Sequence, residues 1–195
     1  MEIKETNLQS TYNTADDNGK HMLRALFPDV IFLNNGNKQK LPITERIKTF
    51  NDACYELGDK HPYVQDYLTI DNGKVAVSPD ILAYLKLRII CAALNEGWEP
   101  KFTEDEWRYY PWFYLYTNEE LSEKSDEWKN DRRLISTGSY EVKGYAGLAS
   151  AYSHCILSHS SANIGSRLCL KSNTLASYCG KQFIELWADL NLIRR

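Results

Sequence analysis

Apolar residues recur at helical spacing most clearly between Ser78 and Asn95. Ser78 and Pro79 suit the start of a helix, and Gly97 suits its left-handed stop. The apolar positions of this segment are Ile81, Leu82, Leu85, Ile89, Ala92 and Ala93, widened by Leu87 and Ile90. We expect this helix to lie at the centre of the core.

Two helical patterns precede it. Residues 1–13 are polar and irregular, after which Thr14 can cap a short helix that ends before Pro28. The segment from Thr49 to Asp52 has the spacing of a capping box and opens a helix that Gly58 can close. The apolar positions of these two helices are Met22, Leu23, Leu26 and Phe27, then Phe50, Ala53, Cys54 and Leu57.

A last helix is predicted at the end of the chain. Ser172 or Asn173 can cap it. Its apolar residues recur at helical spacing, and they are Leu175, Cys179, Phe183, Leu186 and Leu190, flanked by Trp187.

The run from Trp107 to Tyr116 places seven aromatic side chains in ten positions. Pro111 would interrupt a helix, so we predict an edge strand or a strand with a bulge. Alternation puts Tyr110, Trp112, Tyr114 and Tyr116 on one face and Tyr109, Pro111, Phe113 and Leu115 on the other.

Two further strands are predicted from shorter patterns. Residues 29–41 hold an apolar run and then an Asn- and Gly-rich turn. Residues 164–171 alternate, with Leu168 and Leu170 on one face and Arg167, Cys169 and Lys171 on the other. Residues 117–134 are strongly charged and predict a solvated insertion between strands, and residues 137–166 suit twisted strands and tight turns.

These elements predict an α+β fold, with helices in the N-terminal half, an antiparallel sheet in the C-terminal half and a closing C-terminal helix. We expect residues 1–42 to form an N-terminal arm with a short helix, and residues 43–195 to form a single α+β domain.

Composition and charge limit the binding partners and the cellular compartment that we expect. The net charge of −3 and the pI near 5.8 give no overall attraction to nucleic acid or to an anionic membrane. Five cysteines without a CxxC pair favour a reducing compartment. The N-terminus lacks the apolar stretch of a signal peptide, and no uncharged stretch is long enough for a membrane span. We expect a soluble protein of the cytoplasm with no membrane contact.

The aromatic run is the first candidate binding site, because Tyr and Trp combine an apolar body with a polar tip that needs a partner. Two interpretations stay open, a surface on which a ligand stacks and a sheet face covered by the protein's own helices. The candidate ligand-binding residues are Trp98, Trp107, Tyr110, Trp112, Tyr114, Arg167 and Lys171. Arg167 and Lys171, with the start of the last helix, could hold an anion, or they could be ordinary solvent-facing residues.

Metal and catalytic sites are weakly supported. His154, Cys155 and His159 lack the second cluster that a closed zinc site needs, and a Cys and His pair would require geometry that sequence cannot give. The acidic residues of 117–134 are more typical of a solvated loop than of paired metal-binding carboxylates. Phosphate-loop and dinucleotide motifs are absent from the sequence. We therefore assign no catalytic residue, no metal and no cofactor.

Several motifs resemble those of a known group. They are Ile43–Cys54, Ala93–Trp98, Tyr109–Phe113, Ile164–Cys169 and Tyr178–Phe183. In these motifs, which span most of the chain beyond residue 42, the protein resembles uncharacterised proteins from phages and mobile elements of gut Bacteroidetes. The resemblance implies a phage or prophage setting and no mechanism.

Three functions follow as hypotheses. The first is a non-enzymatic intracellular binding protein that recognises a small molecule or a host protein through its aromatic surface. The second is a virion or assembly component in which that surface joins subunits, which makes a homo-oligomer possible. The third is an enzyme acting on nucleotides or nucleic acid with His154, His159, Arg167 and Lys171, although the net charge makes nucleic acid an improbable partner.

Overall fold

The computed structural model describes residues 5–27, 30, 32, 41–72, 75–101, 103, 105–157 and 166–195. Within them, helices precede a three-stranded antiparallel sheet and two helices follow it, which confirms the α+β prediction. The helices are α1 (Glu5–Thr14), α2 (Asp17–Leu26), α3 (Ile43–Arg46), α4 (Phe50–Leu57), α5 (Pro62–Asn72), α6 (Pro79–Leu94), α7 (Asn118–Ser122), α8 (Asp126–Asp131), α9 (Asn173–Gln182) and α10 (Ile184–Asn191). The strands are β1 (Trp107–Tyr116), β2 (Ile135–Ser136) and β3 (Gly147–Leu157).

Helix α6 is the central core helix, as predicted. It packs against α4, α5 and α10. Leu87, Ile89 and Ile90 are fully buried, and neighbouring positions are buried too because other helices cover α6 on more than one side. Burying an aliphatic side chain of this size contributes about 1.5–3 kcal/mol. Ile81, in the first turn, is exposed, so the predicted stripe begins one turn too early.

Helix α4 begins at the predicted capping box. The Asp52 backbone donates to the Thr49 hydroxyl, and the Thr49 backbone donates to the Asp52 carboxylate, so two otherwise unpaired amides are satisfied. The helix ends at Gly58, whose φ of 84° suits a residue without a Cβ. Ala53 and Cys54 are buried on the predicted face.

The sheet has the order β1–β3–β2, so β1 is an edge strand as predicted. Tyr109 exchanges two backbone hydrogen bonds with Leu170, at 3.0 and 2.9 Å, on the side of β1 away from β3. Pro111 lies two residues further along, so its nitrogen faces the same side, where a missing N–H costs no bond to β3.

The closing helix is two helices. Ser172 caps α9 by accepting from the Leu175 amide, as predicted, but the helix breaks at Phe183 and resumes as α10. Gly180 lets α9 lie close to β1, because a Cβ there would stand 2.8 Å from the Pro111 Cβ. This contact places α9 on the side of the sheet that carries Pro111 and Phe113.

The prediction of a strand at residues 164–171 is wrong for residues 166–171, which are the ones that the structure describes. Ser166–Leu168 is a 3-10 turn, and only Leu170 forms a bridge with β1. Leu168, Cys169 and Leu170 are all buried, so the alternation that suggested a strand has no counterpart in burial. The Asn95 side chain holds this segment instead. It donates to the Cys169 carbonyl at 2.9 Å and accepts from the Lys171 amide at 3.0 Å.

The N-terminal arm differs from its prediction. Residues 5–14 form α1 rather than an irregular segment, and α2 is capped by Asp16, which accepts from the Gly19 amide, rather than by Thr14. Tertiary packing explains α1, because Tyr12 is fully buried and stacks on Phe32 with ring centroids 4.9 Å apart. The strand and turn predicted for residues 29–41 lie almost entirely outside the described residues.

The charged segment is confirmed as a solvated insertion between β1 and β2. It forms two short helices, α7 and α8, in which no residue is buried. Thr117 caps α7 with a capping box and Ser125 caps α8. These caps explain how short, charged helices hold their shape on the surface.

Candidate functional site: an aromatic face built by a β-bulge

A β-bulge in β3 decides which side chains share a face with the aromatic run. The register runs from Pro111 opposite Ser153 to Trp112 opposite Tyr152, and then shifts so that Phe113 lies opposite Ser150. Ala151 is the extra residue. Because side chains alternate with a period of two, one extra residue reverses the phase of everything beyond it. Tyr152 and His154 therefore share the face of Trp112 and Tyr114.

We call Trp112, Tyr114, Tyr152 and His154 the aromatic face. Trp112 and Tyr152 stack with ring centroids 6.3 Å apart, and the His154 ring lies 5.1 Å from Trp112. Tyr114 meets Tyr152 edge-on at 6.2 Å. Trp112 is 36% exposed, and Tyr114 and Tyr152 are each 47% exposed. The rings thus contact one another while much of their surface stays open.

Arg132 holds the bulge from the insertion side. Its carbonyl accepts from the Ser150 amide at 2.9 Å, and its guanidinium donates to the Ala151 carbonyl and, at 3.4 Å, to the Ser150 carbonyl. A bulge leaves ladder groups unpaired, and here an arginine satisfies them. Arg132 therefore fixes the position at which the strand changes phase.

The insertion extends the aromatic face at one end. Tyr116, two residues beyond Tyr114, meets Trp128 of α8 edge-on with ring centroids 5.3 Å apart. Lys124 lies over the Trp128 ring at 5.6 Å. Within the face, the Tyr114 and Tyr152 hydroxyls lie 3.5 Å apart, and this contact raises the pKa of the Tyr152 phenol. The Tyr152 phenol thus stays uncharged at neutral pH.

The other predicted aromatic residues lie elsewhere. Tyr110 shares a strand face with Trp112 but is only 2% exposed, and burial raises its pKa to about 12. Trp107 is 45% exposed, but alternation puts it on the opposite side of β1. Trp98 is half-buried in the turn after α6. Of the predicted aromatic set, the structure therefore brings together Trp112 and Tyr114.

The two predicted basic residues, Lys171 and Arg167, lie in different surroundings. Lys171 donates to Glu96, with Nζ 3.0 Å from Oε2, while its backbone amide is bound by Asn95. Glu96 also binds Arg46, so the Lys171 side chain belongs to a surface ion-pair network. Arg167 is exposed on the 3-10 turn, and no contact described for it reaches the aromatic face. An anion site at this pair stays a prediction.

The predicted His and Cys cluster is only partly described. His154 and Cys155 are both exposed on β3, but adjacent strand residues point to opposite faces. His159 lies outside the described residues. In the described ranges, no three His, Cys, Asp or Glu side chains are grouped so that they could hold a metal ion.

Sequence reasoning missed Tyr152, and it considered His154 for a metal or catalytic site rather than for the aromatic face. They lie in a stretch rich in Gly, Ala and Ser, and a strand read without a bulge would place them on the side of Leu148, which is buried. The aromatic side chains of Tyr152 and His154 were visible in the sequence, but the position of the extra residue in β3 was not.

The chain was compared with known families, curated proteins and solved structures. No family model matches the chain, and no similar curated protein or solved structure was found. Among the described residues, none of the helices is long and apolar enough to cross a membrane.

Proposed function

We propose that the protein is a non-enzymatic binding protein that recognises a partner protein through its aromatic face. The observation that carries the proposal is the set of half-exposed rings of Trp112, Tyr114 and Tyr152, in which Tyr152 stacks on Trp112 and meets Tyr114 edge-on. Trp and Tyr are enriched among residues that dominate binding energy, because they bury much area at little entropic cost.

The shape of the surface favours a protein over a small molecule. Small-molecule sites are concave and enclose most of the ligand. Two cavities, of about 660 and 520 Å³, are lined by other parts of the chain and by none of the aromatic face. A row of stacked rings on a sheet instead offers a broad contact area, which suits a protein surface.

The proposed setting is the cytoplasm of a host cell that carries a phage or mobile element. Support comes from the resemblance of the motifs to phage and mobile-element proteins and from five cysteines without a CxxC pair. In this setting the partner is a host protein that the binding protein sequesters or blocks.

Quantitative affinity purification from host cells tests the proposal. We expect a host protein to be retained by the wild type and by Trp107→Ala, and to be lost with the double variant Trp112→Ala/Tyr152→Ala. Trp107 is the matched control, because it is as exposed as the face but lies on the other side of β1. Truncating a central aromatic residue typically costs about 2 kcal/mol or more, or about 30-fold in affinity. Equal retention by all three proteins would contradict the proposal.

A subunit of a larger assembly is the second candidate, and the edge of β3 favours it. The backbone groups of Tyr109 and Pro111 point away from β3. In such a pair the partner's backbone groups point the other way, so those of Cys155 and Ser153 point away from β1. Among the described residues, β2 pairs only with Gly147 and Leu148 and leaves this edge uncovered. Native mass spectrometry separates the candidates: a dimer or higher multiple would favour the assembly, and a monomer would count against it.

A further inference from the structure

The cavity of about 660 Å³ lies where the end of α8 approaches the junction of α9 and α10. Its volume is within the range of about 300–1,000 Å³ that small-ligand sites occupy. The lining residues are Lys129, Asn130, Arg133, Leu134, Ile135, Lys181, Gln182, Phe183, Ile184, Glu185 and Leu186. It therefore combines basic and apolar side chains at one place.

The charges of this lining are mostly positive, although the chain as a whole carries −3. Lys181 is paired with Asp131 at 2.9 Å, and Lys129 lies 3.7 Å from the exposed Asp126. Arg133 differs, since no carboxylate of the described residues lies within ion-pair distance of it. Its Nε donates to the Lys181 carbonyl at 3.4 Å, which leaves its two terminal amino groups for another acceptor.

The backbone adds donors to the same cavity. The helix breaks at Phe183, and α10 begins without a side-chain cap. Across the described part of the chain, no acceptor is found for the amides of Ile184, Glu185 and Leu186, and all three residues line the cavity. A helix start alone does not make a binding site, but here the exposed Arg133 lines the same cavity.

We propose that this cavity binds a small organic anion, whose phosphate or carboxylate group pairs with Arg133 while its apolar part lies against Leu134, Ile135 and Phe183. The site is separate from the aromatic face, and the proposal does not depend on the partner of that face. Phosphate and carboxylate each present two oxygens that a guanidinium can bind with two parallel hydrogen bonds.

Amide-resolved NMR titration of the full chain with phenyl phosphate tests the proposal, with neutral benzyl alcohol as the control ligand. We expect saturable shifts at the amides of residues 184–186 with phenyl phosphate and none with benzyl alcohol. Inorganic phosphate alone should shift the same amides more weakly, because it lacks the apolar part.

Variants assign the binding to Arg133. We expect Arg133→Gln and Arg133→Gly to weaken phenyl phosphate binding by about tenfold or more, and Arg195→Gln, at an exposed arginine, to leave it unchanged. Arg133 has a φ of 53°, a conformation that glycine adopts without strain. Arg133→Gly should therefore remove the side chain and leave the protein folded. Shifts that do not saturate, that fall outside residues 129–135 and 181–186, or that survive both Arg133 variants would overturn the proposal.

Discussion

Trp112 and Tyr152 stack across the β1–β3 pair at the point where β3 carries one extra residue, with ring centroids 6.3 Å apart. The stack is a consequence of the bulge. With a regular β3, Tyr152 would share the side of Leu148 and meet the helices rather than Trp112. The bulge thus converts an aromatic strand into a two-stranded aromatic face.

Arg132 should be a positioning residue for that face. In Arg132→Ala the Ala151 and Ser150 carbonyls lose a charged donor, so we expect the free energy of unfolding to fall by about 1.5–3 kcal/mol. Urea denaturation measures this. Arg195→Ala, which removes an exposed ion pair with Glu141, should change stability by less than about 1 kcal/mol. Equal effects of the two variants would show that Arg132 does not hold the bulge.

The aromatic face should contribute little to folding. Trp112→Ala removes a half-exposed ring and should cost less than about 2 kcal/mol, whereas Trp187→Ala removes a buried one and should cost about 3–5 kcal/mol. Thermal or urea unfolding of the two variants gives the comparison. If Trp112→Ala were as destabilising as Trp187→Ala, the face would belong to the folding core.

Asn95 should be among the more sensitive polar positions. Asn95→Ala leaves the Cys169 carbonyl and the Lys171 amide without their partner in a buried place, so we expect a loss of about 2–4 kcal/mol. Asn191→Ala is the matched control, because Asn191 is exposed and its side chain donates only to the Trp187 carbonyl within its own helix. A cost for Asn95→Ala as small as that of the control would contradict the anchoring role.

Stability should fall in alkali because buried thiols resist ionisation. Burial raises the pKa of Cys54 from 9.0 to about 12 and that of Cys169 from 9.0 to about 11. The unfolded chain therefore releases protons that the folded chain keeps. The stabilisation from the two buried thiols is fully present below about pH 9. Above that pH the contribution of each thiol to the free energy of unfolding falls by about 1.4 kcal/mol per pH unit, until the pH reaches the pKa of that thiol in the folded protein.

Urea denaturation between about pH 8 and about pH 10 measures the effect. Over this range Cys54→Ala should lose about 1.4 kcal/mol less unfolding free energy than the wild type, because the slope approaches about 1.4 kcal/mol per unit only above the ordinary thiol pKa of 9.0. Cys155→Ala, which removes an exposed thiol, is the control for the loss of a cysteine. An unchanged slope in Cys54→Ala would mean that its thiol ionises equally well in the folded protein.

Much of the fold could be predicted from local chemistry. The capping box at Thr49, the cap at Ser172 and the proline at residue 79 mark helix starts that tertiary packing does not move. Pro111 was informative for a similar reason, because a residue without an N–H fits a strand only where no hydrogen bond is required.

The rest of the fold depends on contacts between residues that are far apart in the sequence. Residues 168–170 are buried in a segment that Asn95, more than seventy positions earlier, holds through the backbones of Cys169 and Lys171, and no local pattern carries that information. Helix α1 forms around Tyr12, which packs on Phe32 and Tyr55. The bulge at Ala151 was equally hidden, since alanine has no preference that marks an extra residue. The aromatic face could therefore be predicted from β1 but not completed from β3.

Site-specific photocrosslinking in host cells tests the central claim most directly. A benzoylphenylalanine at position 114 places the reactive group on the aromatic face, and the same residue at position 107 places it on the other side of β1. We expect a covalent adduct with a distinct protein from position 114 and none from position 107. The absence of an adduct from position 114, or the same adduct from both positions, would contradict a partner-binding role for the aromatic face.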